Sequence, residues 1–294
     1  MGFFKSLFGG SPSSEDKRKD EDSKNFDTLK YDGVRALKQG QFGFAIKCFT
    51  HALDIQEDLE CRDYLSQAYM HADELAPAFE QLQLLGEAQP QNTAIFIRMA
   101  EVCYMMEDYD AMAAACEKAM ETDKENPIVL FNYARACNGQ GNPISAIALL
   151  TKAIALKEDF GTARLMRGDL LMKMGDIKGA TEDAEWLEQA AEANEDVLLL
   201  VARIAEKAGD HDKAIADYGR VIDADPFCVA AFKERGAIRL AQGDAKGAEE
   251  DMRSVLELDP KMAEGVSGDY TAEGVEHKVR TAYKSVDPFG VFNG

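Results

Sequence analysis

Residues that could bind a metal or carry out catalysis are few in this sequence, and they are widely spaced. Among four histidines and six cysteines, the closest grouping is Cys48 and His51, with Cys61 further along the chain. A tetrahedral zinc site would need a fourth ligand, and none is evident near these residues. We therefore interpret both cysteines as helix-packing residues and predict no metal site.

No combination of residues indicates an enzyme. The four histidines lie in no metalloprotease motif and beside no nucleophile with an orienting acid. The glycines are spread along the chain rather than gathered in a phosphate-binding loop, and we interpret the three carboxylates at 249–251 as a solvated helix face. The sequence therefore predicts no enzymatic activity, no catalytic residue and no cofactor.

Charge and composition restrict the partners and the compartment. With 33 basic and 53 acidic residues the formal net charge is −20, which argues against nucleic acid because phosphate binding needs a basic surface. Cysteines without a CxxC pair indicate buried thiols in a reducing compartment. No segment is long and apolar enough to span a bilayer, and the first ten residues are too short for a secretory leader. We expect a cytoplasmic protein, with peripheral contact to a membrane as the alternative.

The strongest pattern is an internal repeat of 34 residues. Steps of this period from Ala214, with one step of 33, reach seven equivalent positions, namely Ala45, Ala78, Met112, Ala146, Ala180, Ala214 and Ala248. When this position is numbered 20, the seven repeats begin at Phe26, Leu59, Thr93, Pro127, Gly161, Glu195 and Val229, and they occupy residues 26–260.

Small and turn-forming residues indicate two helices in each repeat. Position 8 is small in all seven repeats, which suits two closely packed helices, and position 15 is glycine in five, which is typical of a helix end. Asn142 and Pro143 combine a cap with a proline at the first helical position. We predict first helices at 26–38, 59–72, 93–105, 127–138, 161–173, 195–207 and 229–241, each followed by a second helix.

These features resemble the tetratricopeptide repeat, a helix-turn-helix unit of the same length. The period, the small residue at position 8, the alanine at 20, an apolar residue at 27 and the closing prolines recur together over about four fifths of the chain. The resemblance implies an all-α fold, an α-solenoid superhelix. Arg62 and Arg164 at position 4, and Arg167 and Arg235 at position 7, depart from the pattern. We expect them to loosen the second, fifth and seventh repeats.

Residues 1–25 precede the repeats as an apolar tip and a charged spacer whose composition predicts disorder. The tip, residues 1–10, could dock on a membrane surface or on a partner, and it also fits the pattern for N-myristoylation. A frayed terminus is the alternative. The apolar side chains that would share one side of a short helix are Phe3, Phe4, Leu7 and Phe8.

Residues 261–294 follow the repeats as a loop, a helix and a tail. Val275, Val279 and Val286 recur at helical spacing, and we expect this helix to cap the apolar face of the last repeat. Phe289 and Phe292 in the tail would dock against the same chain or against another one.

The resemblance also implies that the first helices line a concave groove, with positions 2, 5, 6, 9, 12 and 13 facing it. These 42 positions carry eight basic and eight acidic residues, so the groove is neutral and the net charge of −20 lies outside it. Arg98 and Arg135 on adjacent first helices face a single acid, Glu101. We therefore predict a locally basic centre that binds a carboxylate.

Aromatic and amide residues share these groove positions, and this mixture suits a peptide because rings anchor side chains and amides bond the backbone. The predicted binding residues are Lys38, Tyr64, Gln67, His71, Arg98, Glu101, Tyr104, Phe131, Asn132, Arg135, Asn138, Met166 and Arg203. The alternative for the two central arginines is a surface salt bridge with Glu101 or neighbouring acids, with no function.

Some members of the resembled family clamp the terminal carboxylate of a chaperone with lysine, asparagine and arginine at set positions. Lys30 and Asn132 match that clamp, but Val34, Thr162 and Met166 do not. Our first hypothesis is a non-enzymatic scaffold or adaptor whose groove holds a protein segment with a carboxylate beside an apolar side chain. The alternative is a structural component of a membrane-associated assembly, docked through the N-terminal tip.

Overall fold

A computed structural model describes residues 14–190 and 194–259, and every regular element in these ranges is an α-helix. The first helices of the seven pairs are α1 (Ser14–Lys38), α3 (Leu59–His71), α5 (Thr93–Met105), α7 (Pro127–Gly139), α9 (Gly161–Lys173), α11 (Glu195–Lys207) and α13 (Val229–Ala241). The second helices are α2 (Phe42–Ile55), α4 (Leu75–Ala88), α6 (Tyr109–Thr122), α8 (Pro143–Leu156), α10 (Ile177–Ala190), α12 (His211–Ala224) and α14 (Ala245–Leu258). The predicted all-α fold of helix-turn-helix repeats is confirmed.

The helices belong to two compact units, an N-terminal unit of residues 1–157 and a C-terminal unit of residues 158–294. The N-terminal unit contains α1 to α8, and the C-terminal unit contains α9 to α14. Within each unit the two helices of a pair pack against each other, and each second helix packs on the first helix of the next pair. This nearest-neighbour packing is that of an α-solenoid.

The repeating core explains the period of the sequence. The residue at position 20 of every repeat, six alanines and Met112, is fully buried. The apolar residue at position 27 is also buried in every repeat, from Ala52 in the first to Val255 in the last. At position 8 the two helices meet so closely that a Cβ atom added to Gly33 would lie 2.6 Å from the Phe49 ring. A larger residue at this position would separate the helices.

The turn inside each repeat requires a left-handed residue at position 15. Five repeats place glycine there, with φ between 72° and 86°. The second and third repeats have Asp73 and Glu107 instead, and these residues adopt φ of 60° and 56°. The turn geometry is therefore imposed by the packing of the two helices, even where the residue carries a Cβ atom that disfavours it.

The N-terminal spacer differs from its prediction. Residues 14–25 form the first half of α1, which continues without a break into the predicted helix 26–38. Glu, Lys and Arg are good helix formers although they bury no core, and Phe26 at the start of the first repeat is the buried residue that anchors the extension. The low apolar content of this segment predicted its exposure but not its conformation.

The four arginines that depart from the repeat pattern do not leave the helices loose. Arg167 donates to both oxygens of Asp183, with distances of 2.8 and 2.6 Å, and Arg235 contacts Asp251 in the same way. Arg164 also contacts Asp183. In each case the arginine is on the first helix, and its partner is at position 23 of the second helix. The prediction of loosened repeats is wrong because each of the four guanidinium groups is bound by a carboxylate, from its own repeat or, for Arg62, from the end of the preceding one.

Position 23 in the second repeat is Gln81, which accepts from Arg62 at 2.8 Å, while Glu57 binds the same guanidinium. The interpretation of residues 249–251 as a solvated face is wrong for Asp251, which is 2% exposed and also accepts from Arg239 at 3.0 Å. Glu249 and Glu250 are exposed, as predicted. The difference arises because position 23 faces the first helix of the repeat.

The predictions for the tip, the capping helix and the tail concern residues 1–13 and 260–294, which lie outside the described residues. They stay predictions.

Candidate protein-binding face

The first helices of neighbouring repeats lie side by side in each unit. In the N-terminal unit α1 packs on α3 and α5 packs on α7, and in the C-terminal unit α9 packs on α11. We call the surface formed by positions 2, 5, 6, 9, 12 and 13 of these helices the first-helix face. It contains all thirteen residues that the sequence predicts for partner binding, eleven of them in the N-terminal unit and Met166 and Arg203 in the C-terminal unit.

At the start of the N-terminal unit the polar groups of this face are bound to one another. Lys30 on α1 contacts Asp58 at 2.9 Å and Glu60 at 2.7 Å, so it ties α1 to the beginning of α3. These two carboxylates raise the pKa of Lys30 against the opposing effect of burial, which is the largest single influence on that pKa. Tyr64 donates to Glu60 at 3.2 Å and stacks on Phe49 with ring centroids 5.6 Å apart. Tyr64 is thus partly a packing residue.

Arg98 has a carboxylate partner that sequence reasoning missed. Its guanidinium donates to Asp63 on the preceding first helix rather than to Glu101. The other oxygen of Asp63 accepts from Gln67 at 2.8 Å. The predicted net positive charge at Arg98 is therefore neutralised by Asp63, because the face of α5 lies beside that of α3. The sequence could have indicated this contact, since Asp63 is at position 5 of its repeat and Arg98 is at position 6 of the next repeat.

Arg135 on α7 has a different environment. Its guanidinium carbon lies 3.2 Å from the centroid of the Tyr104 ring on α5 and 5.7 Å from that of Phe131. It donates to Asn132 Oδ1 at 3.3 Å. Among the described residues it makes no ion pair with a carboxylate, and Glu101 is not its partner. A guanidinium over an aromatic ring that makes no ion pair can still donate to a planar anion.

Asn132 lies beneath this arginine and is only 3% exposed. Its side-chain Nδ2 is buried and donates to no acceptor in the part of the chain that the structure describes. An unsatisfied buried amide is costly, so this atom marks a place where the face is incomplete. Tyr104 remains 40% exposed beside it, and its edge meets Tyr109 with ring centroids 6.4 Å apart.

The remaining predicted residues of the N-terminal unit lie on the rim of the face. Lys38 and Asn138 are exposed near the ends of α1 and α7, and Glu101 is half-buried on α5. His71, at the end of α3, stacks on Phe42 with ring centroids 5.0 Å apart. The structure therefore brings Tyr104, Phe131, Asn132 and Arg135 together, whereas it places Lys38 and His71 at the helix ends.

In the C-terminal unit the same face is closed by internal contacts. Arg203 on α11 forms two parallel hydrogen bonds with Glu234 on α13, at 2.8 and 2.6 Å. The hydroxyl of Tyr218, a fully buried residue of α12, lies 2.8 Å from Glu234 and 2.7 Å from Glu206. Burial and the two carboxylates raise the pKa of Tyr218 well above its ordinary value. The hydrogen bond to Glu234 raises the pKa of Arg203.

Sequence reasoning missed this network because it counted Arg203, Glu206 and Glu234 as separate groove charges. Tyr218, which joins them, comes from position 24 of a second helix, a position that the pattern assigns to the core. The sequence could have indicated this network, since the hydroxyl of a tyrosine at a core position needs a hydrogen-bond partner. Met166, the other predicted residue of this unit, is half-buried on α9.

The suggested metal ligands do not form a cluster. Cys48 and Cys61 are buried, and burial raises the pKa of Cys61 to about 11. His51 is exposed and faces Asp54 at 3.4 Å. Among the described residues there is no group of three or more histidine, cysteine or acidic side chains that could hold a metal ion.

The paired helices and their fixed period define a helical-repeat protein. The model of the tetratricopeptide repeat family matches residues 165–226 and 199–263, and the helix pairs of the N-terminal unit have the same period and buried positions. Residues 165–263 therefore match the tetratricopeptide repeat family, and the other described helix pairs share its fold. None of the helices that the structure describes is both long and apolar enough to cross a membrane.

Curated relatives cover only parts of the chain. DnaJ homolog subfamily C member 3 from Homo sapiens is 27% identical over 155 residues, which are 48% of this chain and 31% of the relative. The Bos taurus protein is 40% identical over 65 residues, 22% of this chain and 13% of the relative. The chain thus matches less than a third of the length of these relatives.

Solved structures share the fold over more of the chain. A tetratricopeptide repeat protein from Parabacteroides merdae has a TM-score of 0.69 with 14% identity, covering 88% of this chain and 99% of that one. PilW, a type IV pilus biogenesis factor, has a TM-score of 0.63 with 17% identity, covering 76% and 97%. YrrB, a protein with an unusual peptide-binding site, has a TM-score of 0.51 with 16% identity, covering 68% and 97%.

Proposed function

We propose that this protein is a non-enzymatic scaffold that binds a segment of a partner protein on the first-helix face of its N-terminal unit. The observation that carries the proposal is Arg135, which stacks on Tyr104 at 3.2 Å and has no carboxylate partner among the described residues. A guanidinium that is desolvated on one side and unpaired on the other favours an incoming carboxylate. YrrB has a peptide-binding site and shares its fold with this chain, and this shared fold is the support that the comparison gives to a peptide ligand.

The neighbouring side chains define what such a segment would carry. Tyr104 and Phe131 offer apolar surface beside Arg135, so an apolar side chain next to the carboxylate would gain contact area. If Arg135 turned toward a ligand carboxylate, Asn132 Oδ1 would lose its donor and the amide would be free to bond the ligand backbone at both ends. Arg98 is held by Asp63, so it contributes less to this site than Arg135.

The test begins with affinity purification of the full chain and mass spectrometry of the captured proteins. Arg135→Glu should lose the specific partners, because it places a carboxylate against the ligand's own. Arg253→Glu is the matched control, since Arg253 is exposed on a second helix and, among the described residues, pairs with Glu249 alone. Unchanged capture by Arg135→Glu would place the binding site elsewhere.

A membrane-associated role is the second candidate, and the extension of α1 favours it. Residues 14–25 extend α1 beyond the first repeat as a polar helix. Deletion of residues 1–10 followed by cell fractionation should release the protein from membranes if Phe3, Phe4, Leu7 and Phe8 dock there. An unchanged distribution between membrane and supernatant would reject this role.

A further inference from the structure

The junction between the fifth and sixth repeats has unusually small side chains. Position 24 of the fifth repeat and positions 11 and 14 of the sixth are all alanine, namely Ala184, Ala205 and Ala208. Larger residues occupy the same positions at the junctions of the second repeat with the third and of the sixth with the seventh, namely Leu82, Cys103 and Met106, and Tyr218, Arg239 and Gln242. Because Leu82 and Tyr218 are fully buried, the three alanines leave side-chain volume missing at this junction.

A cavity of about 200 Å³ lies between α10, α11 and the start of α12, and the three alanines line it. The rest of its apolar lining comes from Ile177, Val201 and Ile204. Thr181, which also lines it, donates its hydroxyl to the carbonyl of Ile177 at 2.8 Å, so the interior is apolar. An apolar cavity of about 150 Å³ can take up benzene. This space therefore suits one side chain of the size of leucine or phenylalanine.

The rim of the cavity is acidic. It carries Glu185, Glu188 and Asp210 against one base, Lys213. Glu188 accepts from Arg220 at 3.1 Å, and Asp210 accepts from the backbone N–H of Lys213 at the start of α12. Glu185 is exposed and makes no ion pair in the part of the chain that the structure describes. A cation at the rim would therefore find a carboxylate, in a molecule whose formal net charge is −20.

We propose that this cavity binds a leucine or phenylalanine side chain of a partner protein, next to a lysine or arginine of the same segment. The apolar side chain would occupy the volume that Leu82 and Tyr218 fill at the other junctions, and removal of its surface from water would drive insertion. The neighbouring base would pair with Glu185, and the acidic rim would disfavour an acidic segment. None of the lining residues is at a position of the first-helix face, so this inference does not depend on the function proposed for that face.

The experiment uses the full chain with labelled isoleucine and valine methyl groups, observed by NMR. The probe is the acetylated and amidated tripeptide Lys-Leu-Lys. Two matched peptides separate its features, since Lys-Ser-Lys lacks the apolar side chain and Glu-Leu-Glu reverses the charge. Lys-Leu-Lys should shift the methyl signals of Val201 and Ile204, and each matched peptide should bind about tenfold more weakly. Equal binding of either matched peptide would overturn the proposal.

Two variants locate the binding in this cavity. Ala208→Met introduces the residue that the third repeat has at position 14, and it should abolish binding because it fills the space. Ala72→Met, the same substitution at position 14 in the N-terminal unit, is the matched control and should leave binding unchanged. Glu185→Lys changes an exposed residue, so the fold should be retained while Lys-Leu-Lys binds severalfold more weakly. Undiminished binding of Lys-Leu-Lys in Ala208→Met or in Glu185→Lys would contradict this site.

Discussion

Arg135 in the N-terminal unit and Arg203 in the C-terminal unit occupy the same position, 9, of their repeats, yet they differ in what surrounds them. Arg203 forms two hydrogen bonds with Glu234, which also contacts the hydroxyl of buried Tyr218. Arg135 lies on the ring of Tyr104 and donates to an amide. The charge at this position is neutralised where a carboxylate faces it, and it makes no ion pair with the described residues where an aromatic ring faces it.

The units also differ inside the helix pairs. In the C-terminal unit position 23 is always an aspartate, whereas in the N-terminal unit it is Cys48, Gln81, Ala115 and Leu149. The C-terminal unit thus holds its pairs partly through buried ion pairs, and the N-terminal unit holds them mainly through apolar packing. Breaking a buried ion pair from one side is costly, so the units should respond unequally to equivalent substitutions.

The largest expected effect is that of Asp183→Ala. It leaves the guanidinium groups of Arg164 and Arg167 half-buried without their carboxylate, and we expect the free energy of unfolding to fall by about 3 kcal/mol. Trp186, the single tryptophan of the chain, lies 4.3 Å from Arg164, so urea unfolding followed by its fluorescence reports on this unit.

Gln81→Ala is the matched control at position 23 of the N-terminal unit. Arg62 keeps its two contacts with Glu57, so circular dichroism should show a loss of about 1 kcal/mol or less. Equal losses in the two variants would mean that the two units are stabilised in the same way.

Tyr218→Phe should have the next largest effect. The substitution removes a buried hydroxyl that contacts two carboxylates, and hydrogen bonds to charged groups contribute up to about 3 kcal/mol. We expect a loss of about 2 kcal/mol at neutral pH. Tyr104→Phe in the N-terminal unit should cost less than about 0.5 kcal/mol, because Tyr104 is exposed and keeps its ring on Arg135.

The same tyrosine predicts a dependence on pH. Burial, and then Glu234 and Glu206, raise the pKa of Tyr218 above its ordinary value of 10.0, so the folded state retains a proton that the unfolded chain releases. This contribution to stability is complete below pH 10 and declines as the pH rises above it. Unfolding measured from pH 9 to 11 should show a smaller decline in Tyr218→Phe. Parallel profiles for the two proteins would contradict the role of this residue.

Substitution of the two equivalent arginines compares the faces directly. Arg203→Ala leaves Glu234 with the Tyr218 hydroxyl alone, and since the ion pair is about one third exposed we expect a loss of about 1 to 2 kcal/mol. Arg135→Ala should change stability by less than about 1 kcal/mol, because it breaks no ion pair. Thermal unfolding of both variants measures the difference. A larger loss for Arg135→Ala would contradict the conclusion that Arg203 stabilises the fold more than Arg135 does.

The smallest expected effect is a gain. Glu107 occupies the left-handed turn position of the third repeat with φ of 56°, where five other repeats have glycine. Glu107→Gly should raise the free energy of unfolding by up to about 1 kcal/mol, because it removes the clash of the Cβ atom. Ala114→Gly, at an exposed position inside α6, is the control and should lower it by about 1 kcal/mol. A loss in Glu107→Gly would show that the turn is not strained.

The sequence by itself determined the repeat and the helices. The first helices of the second to seventh repeats begin at the residues where the period places them, from Leu59 to Val229. This was possible because each helix pair has to bury the same positions against its neighbours. That requirement repeats the same alanines, small residues and turn glycines along the sequence. The prediction of disorder for the charged extension 14–25 was wrong, since helix formation there depends on no apolar pattern.

Only the tertiary structure decided which charges are free. Asp63 neutralises Arg98, Glu234 neutralises Arg203, and Arg135 keeps an aromatic neighbour instead. Each of these contacts joins two neighbouring repeats, and its existence depends on which side chains the packing of adjacent helices brings within a few ångströms. A repeat pattern assigns residues to a face, but it does not say which residue of the next repeat each one meets.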